Sequence, residues 1–569
     1  MTWTPRPMSP RFEGSRRRLQ ECYAGVSRLP DASRIAYLRG PEFTVTEAQV
    51  RDVWAEALAN PVHSVESANN IYIHVPFCKS ICDFCNYERL RPSNPQLLEA
   101  WLRRVIRSME TLGPAVNKLE WGSVYVGGGT PSTLPAAMLK RLFEALEAHL
   151  NIAEDAHRSF EFDPLVMSGG RVDVLAQHGF THFSFGIQTL DPEVNKAHNR
   201  GPQNRATISR RFEELYSRGL HDVACDFLLG LAGTSAAGIL ADIEWVLAEH
   251  KPLTVDVFQI APTPEYVDTH FGGDLDAFWA HLKPFQEETV PALAEVGARL
   301  GYRVNIDGGH IYTLKRMTMP KGFTRPPKRR YSYTQLVSDA GRPMHLLGLG
   351  PSARSQIFGY AAYQGRAPQD ATGDDPFHYK GHKLTLDDEV RTYLVHRLRD
   401  NNDVDRASFR QIFGKDPTEV MGVPLSAWAQ DQKLEVTEST IKLVPESRRE
   451  RMLTLLWLVP EPHLEYEIAR RQQLNLTPDG VGFLAAELEP GRVLAGHHRF
   501  GGIDQDGRVH IHTPDRVSMK FRVAPGLKDG EELRLVLESQ PPSSPEAIKG
   551  LTVAMAQVRR VLRAAASRR

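Results

Sequence analysis

Residues 71–87 read IYIHVPFCKSICDFCNY. The first five residues are the apolar, β-branched run of a strand, Ile71–Val75. A proline follows, and then Cys78, Cys82 and Cys85 fall within eight residues. Thiolates bind soft metals and iron–sulfur clusters. Structural zinc sites use cysteine pairs two residues apart and four protein ligands. This loop offers a Cys-x3-Cys-x2-Cys set of three, with no fourth cysteine or histidine close by except His74. Zinc or inert thiols are the rival readings. Three ligands on a four-iron cluster leave one iron open, free to chelate a small molecule through an amino and a carboxylate group.

Outward from this loop, short β-rich runs alternate with longer amphipathic stretches. The expected strands are Ile71–Val75, Ser123–Val126, Phe160–Phe162, His182–Phe185, Val223–Leu229, Val255–Ile260 and Tyr302–Ile306. Helical stretches between them include Gln96–Leu112, Ala136–Leu150 and Leu275–Leu300. Such alternation implies parallel strands joined by right-handed crossovers. The predicted fold class is α/β: a partial (β/α)6-type barrel, then a small helical, winged-helix-like module, then an α+β C-terminal domain. In a barrel of this kind the chemistry sits where strands pass into loops. The polar motifs fall there. VYVGGGTPSTL places Gly127–Gly129 at a strand end, where glycine lets backbone approach a ligand closely. FEFDP places Glu161, FSFGIQTL places Gln188, DPEVNKAHNRG ends near Arg200, and ACDFLLGLAG places Asp226.

The cysteine spacing resembles the signature of the radical S-adenosylmethionine superfamily. The fuller string Tyr72-x-His74-x-Pro76-Phe77-Cys78 resembles the group of oxygen-independent coproporphyrinogen III dehydrogenases, which includes a heme chaperone, heme-degrading enzymes and class C radical methyltransferases and cyclopropanases. The resemblance runs from about residue 70 to about residue 445. It implies a [4Fe-4S] cluster on Cys78, Cys82 and Cys85, with S-adenosylmethionine cleaved to a 5′-deoxyadenosyl radical. It implies that Gly128, Gly129 and Thr130 present backbone to the methionine amino group. Glu161 would hold the amino group or ribose. Gln188 and Arg200 would bind the ribose and carboxylate side, and Asp226 a ribose hydroxyl. Tyr72 would donate to the carboxylate, and Phe84 would shield cluster and adenine.

Substrate identity is expected after the core. The dehydrogenases carry Cys-Gly-Cys at the third cluster cysteine, whereas this chain has Cys85-Asn86-Tyr87, closer to the class C enzymes. The heme chaperone's His-Asn-x-x-Tyr-Trp string is missing. The resemblance therefore implies two S-adenosylmethionine molecules, the second a methylene donor in methylation or cyclopropanation of an unsaturated or aromatic small molecule. Oxidative decarboxylation or ring opening of a porphyrin or heme is the alternative, and a heme-binding chaperone is a third. NIDGGHIYT supplies His310 and Tyr312 as catalytic candidates, able to exchange a proton in a tuned site. A buried structural histidine is the competing reading. The loop KRRYSY suits an acidic or carrier-bound substrate, with a solvated loop as its rival.

Bulk properties fit an enzyme of this kind. Lys+Arg and Asp+Glu both count 69 in 569 residues, so no net field draws the chain to nucleic acid. No apolar run is long enough for a membrane span, and the basic N-terminus lacks a signal-peptide core. Five cysteines make no disulfide framework and point to a reducing, cytoplasmic setting. Cys225 reads as a small core residue and Cys22 as an ordinary thiol. A flavodoxin- or ferredoxin-type electron donor is expected. The expected divisions are an extension at 1–69, a barrel core at 70–313 and a substrate loop with barrel completion at 314–384. A winged-helix-like module at 385–445 and a C-terminal domain at 446–569 follow.

Overall fold

The computed structural model describes residues 42–59, 68–261 except 86 and 88, 264–305 except 273, 311–321, 323, 344–365 and 378–444 except 401, 402 and 431. It also describes residues 14 and 17 and short stretches between 454 and 558. The chain falls into two compact units, one built mainly from Tyr37–Ile260 with Ala280–Val444, the other mainly from Ala261–Trp279 with Pro445–Arg569.

The first unit carries one long sheet. Its strands are β1 (Glu42–Thr46), β2 (Ala68–Val75), β3 (Trp121–Gly128), β4 (Ile152–Phe162), β5 (His182–Gln188), β6 (Asp222–Leu229) and β7 (Thr254–Gln259). They continue with β8 (Tyr302–Asn305), β9 (Ile311–Arg316), β10 (Met344–Leu349), β11 (Arg354–Ile357), β12 (Ala361–Gly365) and β13 (His378–Lys383). The order across the sheet is β1-β13-β12-β11-β10-β2-β3-β4-β5-β6-β7-β9-β8. Strands β2 to β7 are parallel neighbours in chain order, and β10 lies parallel on the other side of β2. The remaining pairings are antiparallel.

Helices cross between the parallel strands because each carries an apolar stripe and a start signal. Between β2 and β3, the helix Pro95–Val116 buries Trp101, Leu102, Val105, Met109, Leu112 and Val116. Asn94 Oδ1 caps it by accepting from the Leu97 amide at 3.1 Å. The helices Arg205–Tyr216 and Ala236–Glu249 begin the same way, with Asn204 and Ser235 as caps. Under them, Val124, Val126, Phe160, Phe183, Phe185, Val223, Phe227 and Val255 are fully or almost fully buried. Each such side chain contributes about 1.5–3 kcal/mol of burial. The opposite, inward face of the same strands is left to polar residues.

The α/β reading holds, with four differences. Tyr302–Asn305 belongs to an antiparallel hairpin, β8–β9, and closes no further parallel unit. The run MHLLGL supplies the seventh parallel strand, β10. The expected helix Leu275–Leu300 is three pieces, Leu275–Pro284, a π turn at Phe285–Thr289, and Val290–Arg299. Pro284 and Pro291 lack the N–H groups that would carry an unbroken α ladder past this point. Strand β4 runs eleven residues, not three, because Glu154, Asp155 and Arg158 mask its pattern while pointing to solvent or to ion pairs. The helix Glu47–Ala59 begins just after Thr46, whose amide and hydroxyl both donate to Gln49 Oε1. Ahead of it, β1 pairs with β13 at the edge of the main sheet.

At the end of this unit, Leu386–Asp400 and three shorter helices pack with a small antiparallel sheet of Asp403–Asp405, Thr440–Leu443 and Leu434–Val436. The second unit holds a four-stranded antiparallel sheet of Arg499–Ile503, Val509–His512, Ser518–Ala524 and Arg534–Leu537. Its core is Phe500, Val509, Ile511, Met519, Phe521 and Leu535, with Leu551, Ala554 and Val558.

Candidate functional site

The cysteine loop is tied at its neck. Cys78 N donates to Leu90 O at 3.1 Å, and Leu90 N donates to Pro76 O at 2.7 Å. Within the loop, the Arg89 guanidinium donates to Cys82 O at 2.7 Å and to Tyr87 O at 2.9 Å. A second tie comes from the HNR segment after β5. His198 Nδ1 meets Asp83 Oδ1 at 2.9 Å while Nε2 donates to Ala232 O at 2.9 Å. Burial opposes a charged imidazole here, but Asp83 and the carbonyl carry His198 above its usual range. The His198 ring also meets Phe84, with centroids 5.9 Å apart.

The glycine turn after β3 seats against the loop's root. Gly129 N donates to Val75 O and Thr130 N to Phe77 O, both at 2.8 Å, and Thr130 Oγ1 reaches Cys78 Sγ at 3.4 Å. A Cβ on Gly129 would stand 2.9 Å from the Pro76 carbonyl and 3.0 Å from Cys78 Sγ. Gly128 has φ +113°, a conformation that side chains resist. Burial pushes the Cys78 thiol up to about 12, Thr130 pulls it down, and the neighbouring Cys85 and Cys82 push it up again. Cys82 is raised by the same burial and lowered by Arg200. Three unbridged thiols, with burial holding Cys78 and Cys82 back from ionising alone, suit a cationic metal cluster that binds them as thiolates.

Beyond the loop, the inward face of the sheet is acidic. Tyr125 donates its hydroxyl to Glu161 Oε1, and Gly128 N donates to Glu161 Oε2 at 3.3 Å. Burial raises Glu161 above the usual carboxylate range, while both partners lower it. Asp226 stands beside Asp256 in register, and Ser184 Oγ donates to Asp226 Oδ2 at 3.4 Å. Burial first, then Asp256 and Glu161, push Asp226 well above its ordinary value. Thr313 Oγ1 donates to Asp256 Oδ1 at 2.6 Å. Three carboxylates on one buried face suit a ligand bearing positive charge.

Gln188 ends β5 with φ +66°, at a break in register against β6. Arg200 Nη2 donates to Gly186 O at 2.6 Å, and its Nη1 lies 3.9 Å from Cys82 Sγ. The Gln203 side-chain oxygen, oriented to satisfy its neighbours, accepts from Arg200 Nε at 2.9 Å and Nη2 at 2.8 Å. Arg200 is thus held by backbone and amide with one edge toward the cysteines. Tyr72 OH meets His74 Nδ1 at 2.9 Å, and its ring lies 6.0 Å from Tyr125.

One expected residue, Tyr312, does not join this group. Tyr312 pairs with Val257 on β9, and strand alternation puts it on the face opposite Thr313. Thr313 is the residue of that strand facing the acids. His310, Asn86 and most of the 314–343 loop lie outside the described residues. Sequence reading passed over Tyr125, Ser184, Gln203, Asp256, Thr313 and His198. Their only sequence signal is a polar residue at an inward position of an otherwise apolar strand, or in the turn that follows.

Residues 72–246 match the Radical SAM superfamily, and that segment belongs to it. The cofactors of the superfamily are a [4Fe-4S] cluster and S-adenosylmethionine, and the thiols, glycine turn and acids above fit them. The chain is similar to an oxygen-independent coproporphyrinogen III oxidase of Paracoccus denitrificans, 29% identical over 37% of this chain and 46% of that protein. It is also similar to an anaerobic coproporphyrinogen III oxidase of Cereibacter sphaeroides, 27% identical over 67% of this chain and 83% of the relative. Among solved structures, coproporphyrinogen III oxidase of Escherichia coli shares the fold, with a TM-score of 0.56 and 22% identity. That match covers 71% of this chain and 92% of the other. The chain spans about half the length of several of the curated relatives it matches. No helix among the described residues is long and apolar enough to cross a membrane.

Proposed function

We propose that this chain applies radical S-adenosylmethionine chemistry to a tetrapyrrole, a porphyrinogen- or heme-type substrate. The observation that carries the proposal is the reach of the Cereibacter match. It extends over 413 residues, far past the cofactor-binding segment 72–246. The cofactor segment is common to enzymes of many substrates, so similarity outside it speaks for the substrate class.

When bound, the cluster and S-adenosylmethionine supply a 5′-deoxyadenosyl radical, given one electron from a flavodoxin- or ferredoxin-type donor. The chain's residues do the rest. Arg89 and His198 fix the cysteine loop. The Gly128–Gly129 backbone and Glu161 receive the amino group, and Arg200 turns its free edge to the carboxylate. Asp226 takes a ribose hydroxyl. Their partial burial strengthens each charge contact.

One observation favours a second reading. Cys85-Asn86-Tyr87 departs from the dehydrogenase pattern. That departure suits a second S-adenosylmethionine acting as methylene donor. Turnover with trideuteromethyl S-adenosylmethionine, with coproporphyrinogen III and heme as probes, separates the two. Consumption of a probe with unlabelled 5′-deoxyadenosine supports the tetrapyrrole oxidation. Deuterium in 5′-deoxyadenosine together with S-adenosylhomocysteine replaces it with methylene transfer. Reductive cofactor cleavage that consumes neither probe overturns the tetrapyrrole assignment.

A further inference from the structure

The cysteines and acids occupy the C-terminal ends of the parallel strands. At the opposite end, on the inward face, lies a separate group of His157, His182 and Asp222. His157 is on β4 four residues before Glu161, and His182 and Asp222 open β5 and β6 as register partners. His182 Nδ1 stands 3.2 Å from Asp222 Oδ1, and His157 Nε2 stands 3.9 Å from Asp222 Oδ2. One ligand atom from each residue lies within 4.8 Å of the others. The imidazole centroids are 5.4 Å apart.

We propose that this group is a second metal site, for one divalent transition ion of the zinc type, distinct from the iron–sulfur cluster. Two imidazoles, which are borderline donors, joined by one carboxylate suit zinc and its neighbours better than calcium or magnesium. An ion at about 2.0–2.1 Å from each ligand holds them roughly 3–3.5 Å apart; the His182–Asp222 spacing of 3.2 Å already matches, and the His157–Asp222 spacing of 3.9 Å must shorten. A further observation points the same way. Ser159 Oγ lies 3.2 Å from His157 Nδ1. A proton on Nδ1 donated to that hydroxyl leaves the Nε2 lone pair aimed at Asp222, the arrangement in which an outer partner orients a ligating histidine. The side chains of His157 and His182 are each 11% exposed and that of Asp222 2%. An ion can enter from solvent, and a water completes its shell. Bound there, it neutralises a buried carboxylate and ties three consecutive strands together at the barrel floor. Asp222 is four residues from Asp226 on β6, so the ion sits about 13 Å from the cofactor acids.

The test is metal analysis of the full-length protein after anaerobic reconstitution and removal of loose metal by chelator. Wild type should hold about one zinc beside its cluster iron. Cys78→Ala/Cys82→Ala/Cys85→Ala should lose the iron and keep the zinc, whereas His157→Ala should lose the zinc and keep the iron. Zinc should raise the melting temperature of wild type and leave that of His157→Ala unchanged. X-ray absorption at the zinc edge of wild type tests the site without any variant. Nitrogen and oxygen scatterers at about 2.0–2.1 Å support it, and sulfur at about 2.3 Å overturns it. Wild type that retains no zinc after zinc addition, or zinc retained by His157→Ala, also overturns it.

Discussion

Replacing Gly129 by alanine tests the seat of the cluster with one methyl group. The added Cβ would lie 2.9 Å from the Pro76 carbonyl and 3.0 Å from Cys78 Sγ. Ordinary carbon contacts are about 3.5–4.0 Å, so both neighbours must give by roughly half an ångström or more. Pro76 is poorly placed to yield, because its carbonyl accepts from Leu90 N at 2.7 Å and so closes the loop. The sulfur must move instead. Overpacking of this kind costs about 1–3 kcal/mol, roughly a five- to hundredfold loss of cluster affinity if it falls wholly on the bound state. Metal ligands tolerate only about 0.2 Å of error. Iron per chain after reconstitution and desalting, the electron paramagnetic resonance signal of the reduced cluster and the rate of S-adenosylmethionine cleavage should all fall. Gly170→Ala is the control, since nothing lies within 4 Å of its added Cβ. Wild-type iron and an unchanged signal in Gly129→Ala would refute the reasoning.

Each of Cys78→Ala, Cys82→Ala and Cys85→Ala should lose the four-iron cluster in iron and sulfide assays, while Cys225→Ala, buried on β6, should keep it. Asp416 bonds Arg406 at 2.9 and 3.0 Å and Arg410 at 2.6 Å. Burial opposes its charge, but the Arg406 bonds, with those from Thr418, hold it well below its ordinary 3.8. A depressed carboxylate stabilises the fold above its unfolded value and loses that stabilisation as pH falls toward its folded one. Asp416→Asn should therefore cost roughly 1.5–3 kcal/mol at pH 7. The gap to wild type, read by proteolytic protection of residues 403–443, should close progressively below about pH 4.

The cysteine loop, the Gly turn, Glu161, Gln188 and Asp226 were legible because each sits within a few residues of a strand whose own pattern marks it. Strand β4 was only partly legible. Its first seven residues carry charges, and the partner of Arg158, Glu147, comes from another element. The antiparallel flank was illegible, since β1 pairs with β13 across more than three hundred residues and no local pattern announces that. Tyr125 and Asp256 read as ordinary strand residues. Their meaning lies in Glu161 and Asp226, brought beside them by the sheet. The same holds for His157, His182 and Asp222, three unremarked polar residues until the strands align them.

The position of β10 bears on how the protein is made. Strand β2 leads into the cysteine loop, yet one of its two hydrogen-bonded neighbours is Met344–Leu349, with Leu347 opposite Ile71. On a ribosome adding about 5–20 residues per second, that partner arrives on the order of tens of seconds after β2 itself. Through that interval β2 has an open edge on the side of β10, and the root of the cysteine loop is braced from the β3 side alone. The loop's root thus gains its second brace only late in synthesis, and a chain truncated before residue 344 should emerge with its leading strand open to pairing with other chains.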